Sequence, residues 1–376
     1  MGWHSIIGQV RAKEILQRSI EQKRVAHAYL LWGPRGVGKD ALAIEFAKTL
    51  LCERHGSEAC DACASCTKMH ILQHPNLKIV FALPAARSEK NNDNGEARFQ
   101  PDIREEIRTQ IAEKAKNPYF HFEIPKATQI NIGTIRDVKK ESSLAAYEKG
   151  MKVFIISDAE MMNDTSANSM LKVLEEPLSD TLFLLTTSRK EKLLPTIVSR
   201  CQSVRCELLA DADIERALTE RESIPVEQSR LVSRLASGDY SAALELVHED
   251  IISERAEAVR FLRATLSGRS VTLFEDIEER IAENDRGAVD QFLSLLLVWF
   301  RDAMLMKEQG VDGIINQDQQ EDLLKFVSRF GNANFPASIG AVERALELLR
   351  GNVYLPLVLL SLSVQLKRIL LNAKQV

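Results

Sequence analysis

The chain has 376 residues, of which 45% are hydrophobic and 27% are charged, and its net charge is −4 at pH 7. This length allows two or three domains with separate cores, and the composition excludes a disordered or strongly basic protein. Contact with nucleic acid would therefore need a local basic patch. The N-terminal MGWHSIIGQV has no secretion signal, and the longest apolar stretch, residues 353–364, is too short for a membrane span. A cytoplasmic location is therefore expected.

The first elements of the chain surround a glycine-rich loop. Apolar residues at helical spacing predict one or two short helices over residues 3–27, and YLLW at 29–32 predicts a buried strand. The loop GPRGVGK follows at 33–39, and an apolar face predicts a helix after it, up to residue 51. Strand, glycine loop and helix are the context in which the motif G-x-x-x-x-G-K-[ST] binds phosphate.

The loop keeps most, but not all, of the residues that phosphate binding uses. Gly33, Gly36 and Gly38 allow backbone N–H groups to turn toward phosphate, and Lys39 can reach its outer oxygens. Asp40, however, stands where a serine or threonine hydroxyl would hold magnesium. Its carboxylate can touch a hydrated metal, but it also places negative charge beside a polyphosphate at the positive end of a helix. The sequence therefore leaves ATP binding open.

Four cysteines lie just beyond this helix, at Cys52, Cys60, Cys63 and Cys66. The spacing C-x7-C-x2-C-x2-C predicts a compact tetrathiolate site, and in a cytosolic chain it favours zinc over disulfides. Four sulfurs leave no open coordination position for water, so the zinc would be structural. Redox thiols and an iron–sulfur cluster are the alternatives.

Strands and helices continue to alternate beyond the cysteines. Strands are predicted near residues 74–83, at 152–157 and at 181–187, with helices at 130–147 and 163–174. This alternation predicts an α/β fold with a mainly parallel sheet and with ligands at the carboxyl ends of its strands.

Three further segments depart from this alternation. Residues 84–126 are polar and charged, and they are predicted to be an insertion or a lid with a charged helix at 102–115. Their lysines and arginines alternate with carboxylates, which favours a solvated surface over a nucleic-acid patch. No strand is predicted after residue 208. Residues 208–250 predict a small helical domain, and residues 251–376 predict a longer all-helical domain, part of which can serve as a partner interface.

Several motifs together resemble the AAA+ subunits of bacterial DNA polymerase III clamp loaders. They are IIGQ at 6–9, HAYLLWGPRGVGK at 27–39, the cysteine cluster, HPN at 74–76, ANSMLKVLEEP at 167–177 and LLTTSRKEKLLPTIVSRC at 184–201. The resemblance covers most of residues 3–206, and LKVLEEP and SRC are its most specific parts. It implies an AAA+ domain at 1–207 with a zinc module at 52–66, a lid domain at 208–250 and a helical collar for oligomerisation at 251–376.

Within this family, gamma and tau subunits hydrolyse ATP, whereas the delta-prime subunit has a similar fold but usually lacks working ATPase elements. The sequence departs from the motor pattern three times. Asp40 replaces the magnesium-binding hydroxyl residue, Ser157-Asp158 replaces the Asp-Glu pair, and Ser241 lies near the expected sensor arginine. Thr187 matches a further sensor position. The resemblance therefore implies a delta-prime-type subunit in which ATP hydrolysis is doubtful.

Arg200, in the triplet Ser199-Arg200-Cys201, is intact. In the family this arginine points across the interface at the ATP of the adjacent motor subunit, where it stabilises charge on the transferred phosphoryl group. A surface salt bridge is the alternative. The implied partners are gamma/tau-type and delta-type subunits in a ring, the sliding clamp and primer-template DNA.

Two other functions remain as alternatives. A gamma/tau-type motor would use Lys39 with Asp40 and Asp158 as an unusual magnesium site. A standalone zinc-containing nucleic-acid-binding protein is disfavoured by the acidic balance and by the lack of an aromatic and basic stripe.

Overall fold

The computed structural model describes residues 2–84, 100–175, 180–248, 251–267, 270–281, 286–311, 313–351 and 353–371. The chain forms two compact units, Met1–Leu244 and Glu245–Val376. Part of the predicted insertion, residues 85–99, lies outside the described residues, as do Glu176 and Pro177 of the LKVLEEP motif. Among the helices that the structure describes, none combines the length and apolarity that crossing a bilayer requires.

A five-stranded parallel sheet forms the centre of the first unit. Its strands are β1 (Ala28–Trp32), β2 (Leu77–Val80), β3 (Lys152–Ile156), β4 (Thr181–Thr187) and β5 (Gln202–Arg205). Their spatial order is β2-β3-β4-β1-β5, and every neighbouring pair is parallel. All residues of β3 and β4 are buried, as expected of central strands that are covered on both faces. The predicted α/β fold with a P-loop NTPase-like sheet is confirmed.

Helices flank this sheet and continue after it. They are α1 (Val10–Glu21), α2 (Lys39–Leu51), α3 (Ala64–His70), α4 (Pro101–Lys116), α5 (Ile132–Ser143), α6 (Asp164–Glu175), α7 (Pro195–Arg200), α8 (Asp211–Arg221), α9 (Val226–Leu235) and α10 (Tyr240–His248). The small helical region predicted after residue 208 begins with α8 and α9, which pack together.

The sheet has an apolar core on each face because side chains alternate along its strands. Tyr29 and Leu31 of β1 belong to one core, together with Phe46 of α2. Leu30, between them, belongs to the other core, together with Met170 of α6. The two cores fix the position of the segment between β1 and α2, which contains the glycine loop.

The strand register places the carboxyl ends of the central strands at one edge. Trp32, the last residue of β1, pairs with Thr187, the last residue of β4, and with Arg205 of β5. Ile156 of β3 pairs with Leu185 of β4, so Ser157 leaves the sheet near the same edge. The glycine loop after β1 therefore meets the residues that follow β3 and end β4.

The regular elements described in the second unit are helices. Its helices are α11 (Ile251–Ser267), α12 (Ser270–Ile281), α13 (Arg286–Gln309), α14 (Gln320–Phe330), α15 (Phe335–Arg350) and α16 (Leu355–Leu371). Phe292 and Phe300 of α13 are fully buried in its core. Asp302, also buried, accepts hydrogen bonds from the backbone N–H groups of Ile315 and Asn316, at 2.9 and 2.8 Å. The predicted all-helical C-terminal region is confirmed.

Candidate functional site

The glycine loop has the backbone that phosphate motifs use. Gly36 and Gly38 have φ angles of +61° and +92°, which are energetically unfavourable for residues other than glycine. The helix α2 begins directly after Gly38. A Cβ atom at Gly33 would lie 2.1 Å from the carbonyl oxygen of Cys206, so only glycine fits there. The loop and the start of α2 thus keep the form of an anion site.

Lys39 is bonded to the loop itself. Its Nζ donates to the carbonyl oxygens of Gly33, at 3.1 Å, and Pro34, and the residue is 8% exposed. Burial lowers the pKa of Lys39, against the opposing influence of the Asp40 and Asp158 carboxylates. The lysine therefore contacts backbone oxygens where the motif would have it contact phosphate.

Asp40 accepts hydrogen bonds from three side chains. Lys114 Nζ lies 2.6 Å, Thr186 Oγ1 2.7 Å and Ser157 Oγ 3.2 Å from its carboxylate oxygens. Burial raises the pKa of Asp40, but the charge and hydrogen bond of Lys114, followed by the Thr186 bond, outweigh burial and lower it overall. Asp40 is therefore a carboxylate that already has a cation.

That cation comes from the predicted insertion. Lys114 lies in the last turn of α4, and its side chain is 3% exposed. Its Nζ also donates to the carbonyl oxygen of Phe120 and lies 5.1 Å from the centre of the Phe122 ring. The prediction that the basic residues of this segment are solvated is wrong for Lys114, because this ammonium group is buried against Asp40.

Tyr119, in the same segment, lies against the glycine loop. A Cβ atom at Gly38 would be 2.8 Å from Cε1 of Tyr119, so the ring contacts the last residue before α2. The Tyr119 hydroxyl accepts a hydrogen bond of 2.8 Å from the backbone N–H of Ile7. Burial raises the pKa of Tyr119 to about 12, so the hydroxyl is protonated at neutral pH.

The start of α10 contacts the other side of the loop. A Cβ atom at Gly36 would lie 1.4 Å from Oδ1 of Asp239, and the N–H of Tyr240 donates to the Gly36 carbonyl at 3.2 Å. Ser241, which stands near the family's sensor arginine, donates through Oγ to the carbonyl of Tyr119 at 2.9 Å. The loop therefore faces a carboxylate here, and Ser241 bonds the tyrosine segment.

Asp158 and Thr187 complete the set of predicted residues at this edge. Burial, and then the negative charge of Asp40, raise the pKa of Asp158, whose carboxylate is 3.5 Å from Nδ1 of His121. Thr187 is fully buried, and its Oγ1 accepts from the N–H of Arg189 at 3.1 Å. A further bond of Thr187 helps to lower the pKa of Glu160. The Thr187 hydroxyl thus holds the segment that follows β4.

The four cysteines of the predicted zinc module come together at the end of α2 and the start of α3. Their sulfur atoms all lie within 4.8 Å of one another, and those of Cys60 and Cys66 are 4.0 Å apart. The backbone N–H groups of Cys60 and Cys66 each lie 3.4 Å from a sulfur, of Cys52 and of Cys63 respectively. This cluster can hold a metal ion.

Arg200 is the last residue of α7, and its described partners do not include the glycine loop. Its guanidinium donates to Oε1 of Glu175 at 2.6 Å and to the carbonyl of Thr196 at 3.0 Å, and its side chain is 34% exposed. Glu175, the last residue of α6, is 47% exposed. The structure therefore places Arg200 at the surface, where an outside group can reach it.

Comparison with known families decides the relationship. A family model described as "DNA polymerase III, delta subunit" matches residues 8–209, more than half of the chain. The chain belongs to this family. The match contains the sheet, the glycine loop, the cysteine cluster and Arg200, and the resemblance deduced from the motifs is confirmed.

Curated relatives of this delta-family chain carry two kinds of name. The delta' subunit of DNA polymerase III from Bacillus subtilis (strain 168) is 28% identical over 347 residues, with 92% of each chain covered. The delta' subunit from Pseudomonas aeruginosa is 32% identical over 246 residues, which cover 64% of this chain and 62% of the relative. The tau subunit from Bacillus subtilis is 25% identical, with 87% of this chain and 54% of the relative covered.

Among solved structures, this family member is similar to a DNA polymerase III gamma subunit-related protein from Thermotoga maritima. The alignment covers 95% of this chain and 99% of the other, with 15% identity and a TM-score of 0.43.

Proposed function

We propose that this chain is a delta-prime-type subunit of a DNA polymerase III clamp loader that does not itself hydrolyse ATP. The observation that carries the proposal is the ion pair between Asp40 and Lys114, which gives the metal-binding position of the motif a resident cation. The names of the delta' relatives support the same conclusion.

Several positions of this site lack the residues that ATP hydrolysis uses in the motor subunits. Phosphoryl transfer needs magnesium to neutralise charge and a carboxylate to orient the attacking water. Asp40 is occupied by Lys114, and Ser157 stands where the family has its magnesium aspartate. Asp158, at the position of the activating glutamate, has a raised pKa and is therefore a less available carboxylate. The isolated chain should show negligible ATPase activity.

An ATP-hydrolysing gamma/tau-type motor is the second candidate, and nucleotide binding distinguishes it. A motor requires magnesium for tight binding of ATP, so titration of labelled ATP into the isolated chain with and without magnesium separates the two. We expect weak binding or none, with little effect of the metal, because Asp40 already has Lys114 as its cation. Magnesium-dependent binding with DNA-stimulated turnover by the isolated chain would replace our proposal with the motor.

The proposed partners follow from the family and the surface arginine. We propose a hetero-oligomeric ring with gamma/tau-type and delta-type subunits, which acts on the sliding clamp at primer-template DNA. In that ring, Arg200 would reach the ATP of the neighbouring motor subunit. The exposure of its guanidinium, and its attachment to the surface carboxylate of Glu175, support this assignment.

Replacement of Arg200 in the assembled loader tests this function. An arginine finger contributes about 10³–10⁵ to turnover at the site that it serves. Arg200→Ala should therefore abolish hydrolysis at the adjacent site, while size-exclusion chromatography shows an intact complex. Arg205→Ala is the matched control, since Arg205 is an exposed arginine of β5 that pairs with Glu207 of the same chain. Turnover equal to wild type in the Arg200→Ala loader would remove the finger assignment.

The cysteine cluster is proposed to hold a structural zinc ion. Tetrahedral zinc with Zn–S bonds of about 2.3 Å places its sulfurs about 3.8 Å apart, close to the 4.0 Å between Cys60 and Cys66. Backbone N–H groups directed at sulfur stabilise thiolates, the form that zinc binds. Such an ion would fasten the end of α2 to the start of α3.

A further inference from the structure

One segment of the insertion brings its own groups into the nucleotide site. The segment runs from Lys114, at the end of α4, to Phe122. Lys114 contacts Asp40, and Tyr119 contacts Gly38 and Ile7. These contacts join residues that are 74 and 112 positions apart in the sequence. We call residues 114–122 the plug.

Lys114 supplies the plug with a cation. In a working motif, the residue after the lysine holds magnesium, and the metal neutralises the phosphates. Here a buried ammonium group lies 2.6 Å from the carboxylate at that position. The positive charge of Lys114 already neutralises Asp40, and its repulsion opposes a magnesium ion at the same carboxylate. The lysine therefore takes the place of the metal.

Tyr119 supplies the plug with bulk. The N-terminus of a helix after a glycine loop binds phosphate because its N–H groups face an open space. The Tyr119 ring lies against Gly38, the last residue before that N-terminus, and packs edge-to-face with Tyr240 at a centroid distance of 4.9 Å. A bulky ring at this position opposes a nucleotide whose phosphates follow the loop.

The plug is held at its C-terminal end and in its middle. At one end, the side-chain amide of Gln110 in α4 bonds the backbone of Glu123, accepting from its N–H at 2.7 Å and donating to its carbonyl. Phe122 stacks on Phe81, after β2, with ring centres 4.0 Å apart. In the middle, Ser241 donates to the carbonyl of Tyr119. These contacts fix the plug as a packed part of the first unit.

We propose that residues 114–122 are an internal ligand of the nucleotide site, in which Lys114 replaces the metal ion and Tyr119 fills the volume of the phosphates. The inference rests on the proposed non-hydrolysing function and adds to it the physical cause. The segment keeps the subunit in a single nucleotide-free form, so the chain needs no ATP to hold its shape.

Two variants of the full chain test whether the ring closes the site. In Asp40→Thr/Lys114→Met the motif hydroxyl is restored and the ion pair is removed, while the lysine stem is replaced by a side chain of similar length and Tyr119 remains. The second variant adds Tyr119→Ala. Equilibrium dialysis with labelled ATP and magnesium should show no binding to the first variant. The second should bind at least about tenfold more tightly, with binding lost when EDTA removes the metal.

The possible results are unambiguous once circular dichroism shows that both variants fold. Equal binding by the two variants would mean that Tyr119 does not close the site. No binding by the folded variant lacking Tyr119 would mean that another feature closes it. Either result would contradict the proposed role of the plug. The role of Arg200 would be unaffected, because it is tested separately by ATP turnover in the assembled loader. Conversely, normal turnover with Arg200→Ala would leave the dialysis result standing.

A milder variant guards against loss of folding. Tyr119→Phe keeps the ring but removes the oxygen that accepts from the Ile7 N–H. Hydrogen exchange at Ile7 should then become at least about tenfold faster, because a backbone amide loses its partner. The N–H of Leu42, which is bonded inside α2, is the internal control. Unchanged exchange at Ile7 would show that the tyrosine hydroxyl does not hold the N-terminal segment.

Discussion

At the residue scale, Asp40 shows why a single carboxylate changes what a phosphate loop can do. Its oxygens accept from Lys114, Thr186 and Ser157, and the lysine is buried with it. Removing one partner of a buried ion pair costs about 3–5 kcal/mol, because the other charge is left uncompensated. The binding free energy of magnesium and ATP would have to offset that cost. The aspartate that replaces the motif's serine or threonine is therefore stabilised by the groups around it.

Asp158 is a second residue of this site, and the fold opposes its negative charge. Burial and the nearby Asp40 raise its pKa in the folded state above the value of about 3.9 that an unfolded chain has. When the pH rises above the pKa of Asp158 in the unfolded state, the unfolded chain releases the carboxyl proton while the folded chain still holds it. The free energy of unfolding therefore decreases with pH until the pH exceeds the folded-state pKa.

Asp158→Asn should therefore stabilise the protein, and more at neutral than at acid pH. Asparagine carries no charge and tolerates the left-handed backbone at this position, where φ is +50°. Urea denaturation at about pH 7 and about pH 4 measures the difference between variant and wild type, which should be larger at the higher pH. Asp158→Ala is the control, because it removes the charge but strains the backbone. A stabilisation independent of pH would contradict the raised pKa.

At the element scale, the cysteine module links two helices to the N-terminal segment. Cys52 follows α2, while Cys63 caps α3 and accepts a bond from Cys66. The indole N–H of Trp3 donates to the carbonyl of Ser57, inside the loop between the first two cysteines, at 3.2 Å. A metal that orders this loop therefore also orders the surroundings of a buried tryptophan.

Removal of zinc should change the fluorescence of Trp3. Without an ion, the four sulfurs lose the metal bonds that join them, so the loop containing Ser57 loosens, which exposes the indole and shifts its emission to longer wavelength. We expect one zinc per chain by elemental analysis and a red shift after chelation. The variant Trp3→Phe should bind the metal but show no red shift after chelation. Its remaining fluorescence comes from Trp32 and Trp299. A visible absorption band with iron in place of zinc would instead identify an iron–sulfur cluster.

The elements also show which parts of the fold could be predicted from the sequence. The strands β1, β3 and β4 are nearly continuous apolar runs, and the pattern identified them. The strand β5, QSVR, was missed because only Val204 is buried in it. The helix α4 was predicted as charged, but composition carries no signal that one lysine in its last turn would be buried against a distant aspartate.

The same limit applies to the candidate site. The loop residues were predicted because they lie in one short segment, 33–40, and the motif fixes their roles; they are Gly33, Gly36, Gly38, Lys39 and Asp40. Lys114 and Tyr119 were missed, because tertiary packing alone brings them to the loop. A possible signal was the aromatic run NPYFHF at 117–122, whose apolar rings are atypical of a solvated insertion.

At the scale of the whole molecule, the proposed role requires a surface that serves another subunit. In the isolated chain, Arg200 is bonded to Glu175, and both side chains are substantially exposed. Exposed ion pairs contribute only about 0–1 kcal/mol, because solvent competes for both charges. The phosphates of a neighbouring ATP can therefore draw the guanidinium away from Glu175 at small cost.

Replacing Arg200 and replacing Glu175 should have different effects on ATP turnover by the assembled loader. Glu175→Ala should change ATP turnover by less than about fivefold, the rate factor of a surface pair worth at most 1 kcal/mol. Arg200→Ala should remove turnover at the adjacent site, because the lost charge faces the phosphoryl group. Steady-state hydrolysis by loaders with each variant, normalised to complex recovered by size-exclusion chromatography, measures both. If Glu175→Ala lost as much turnover as Arg200→Ala, the arginine would act by holding α6 and α7 together within its own chain, and a partner's ATP would have no part in its role.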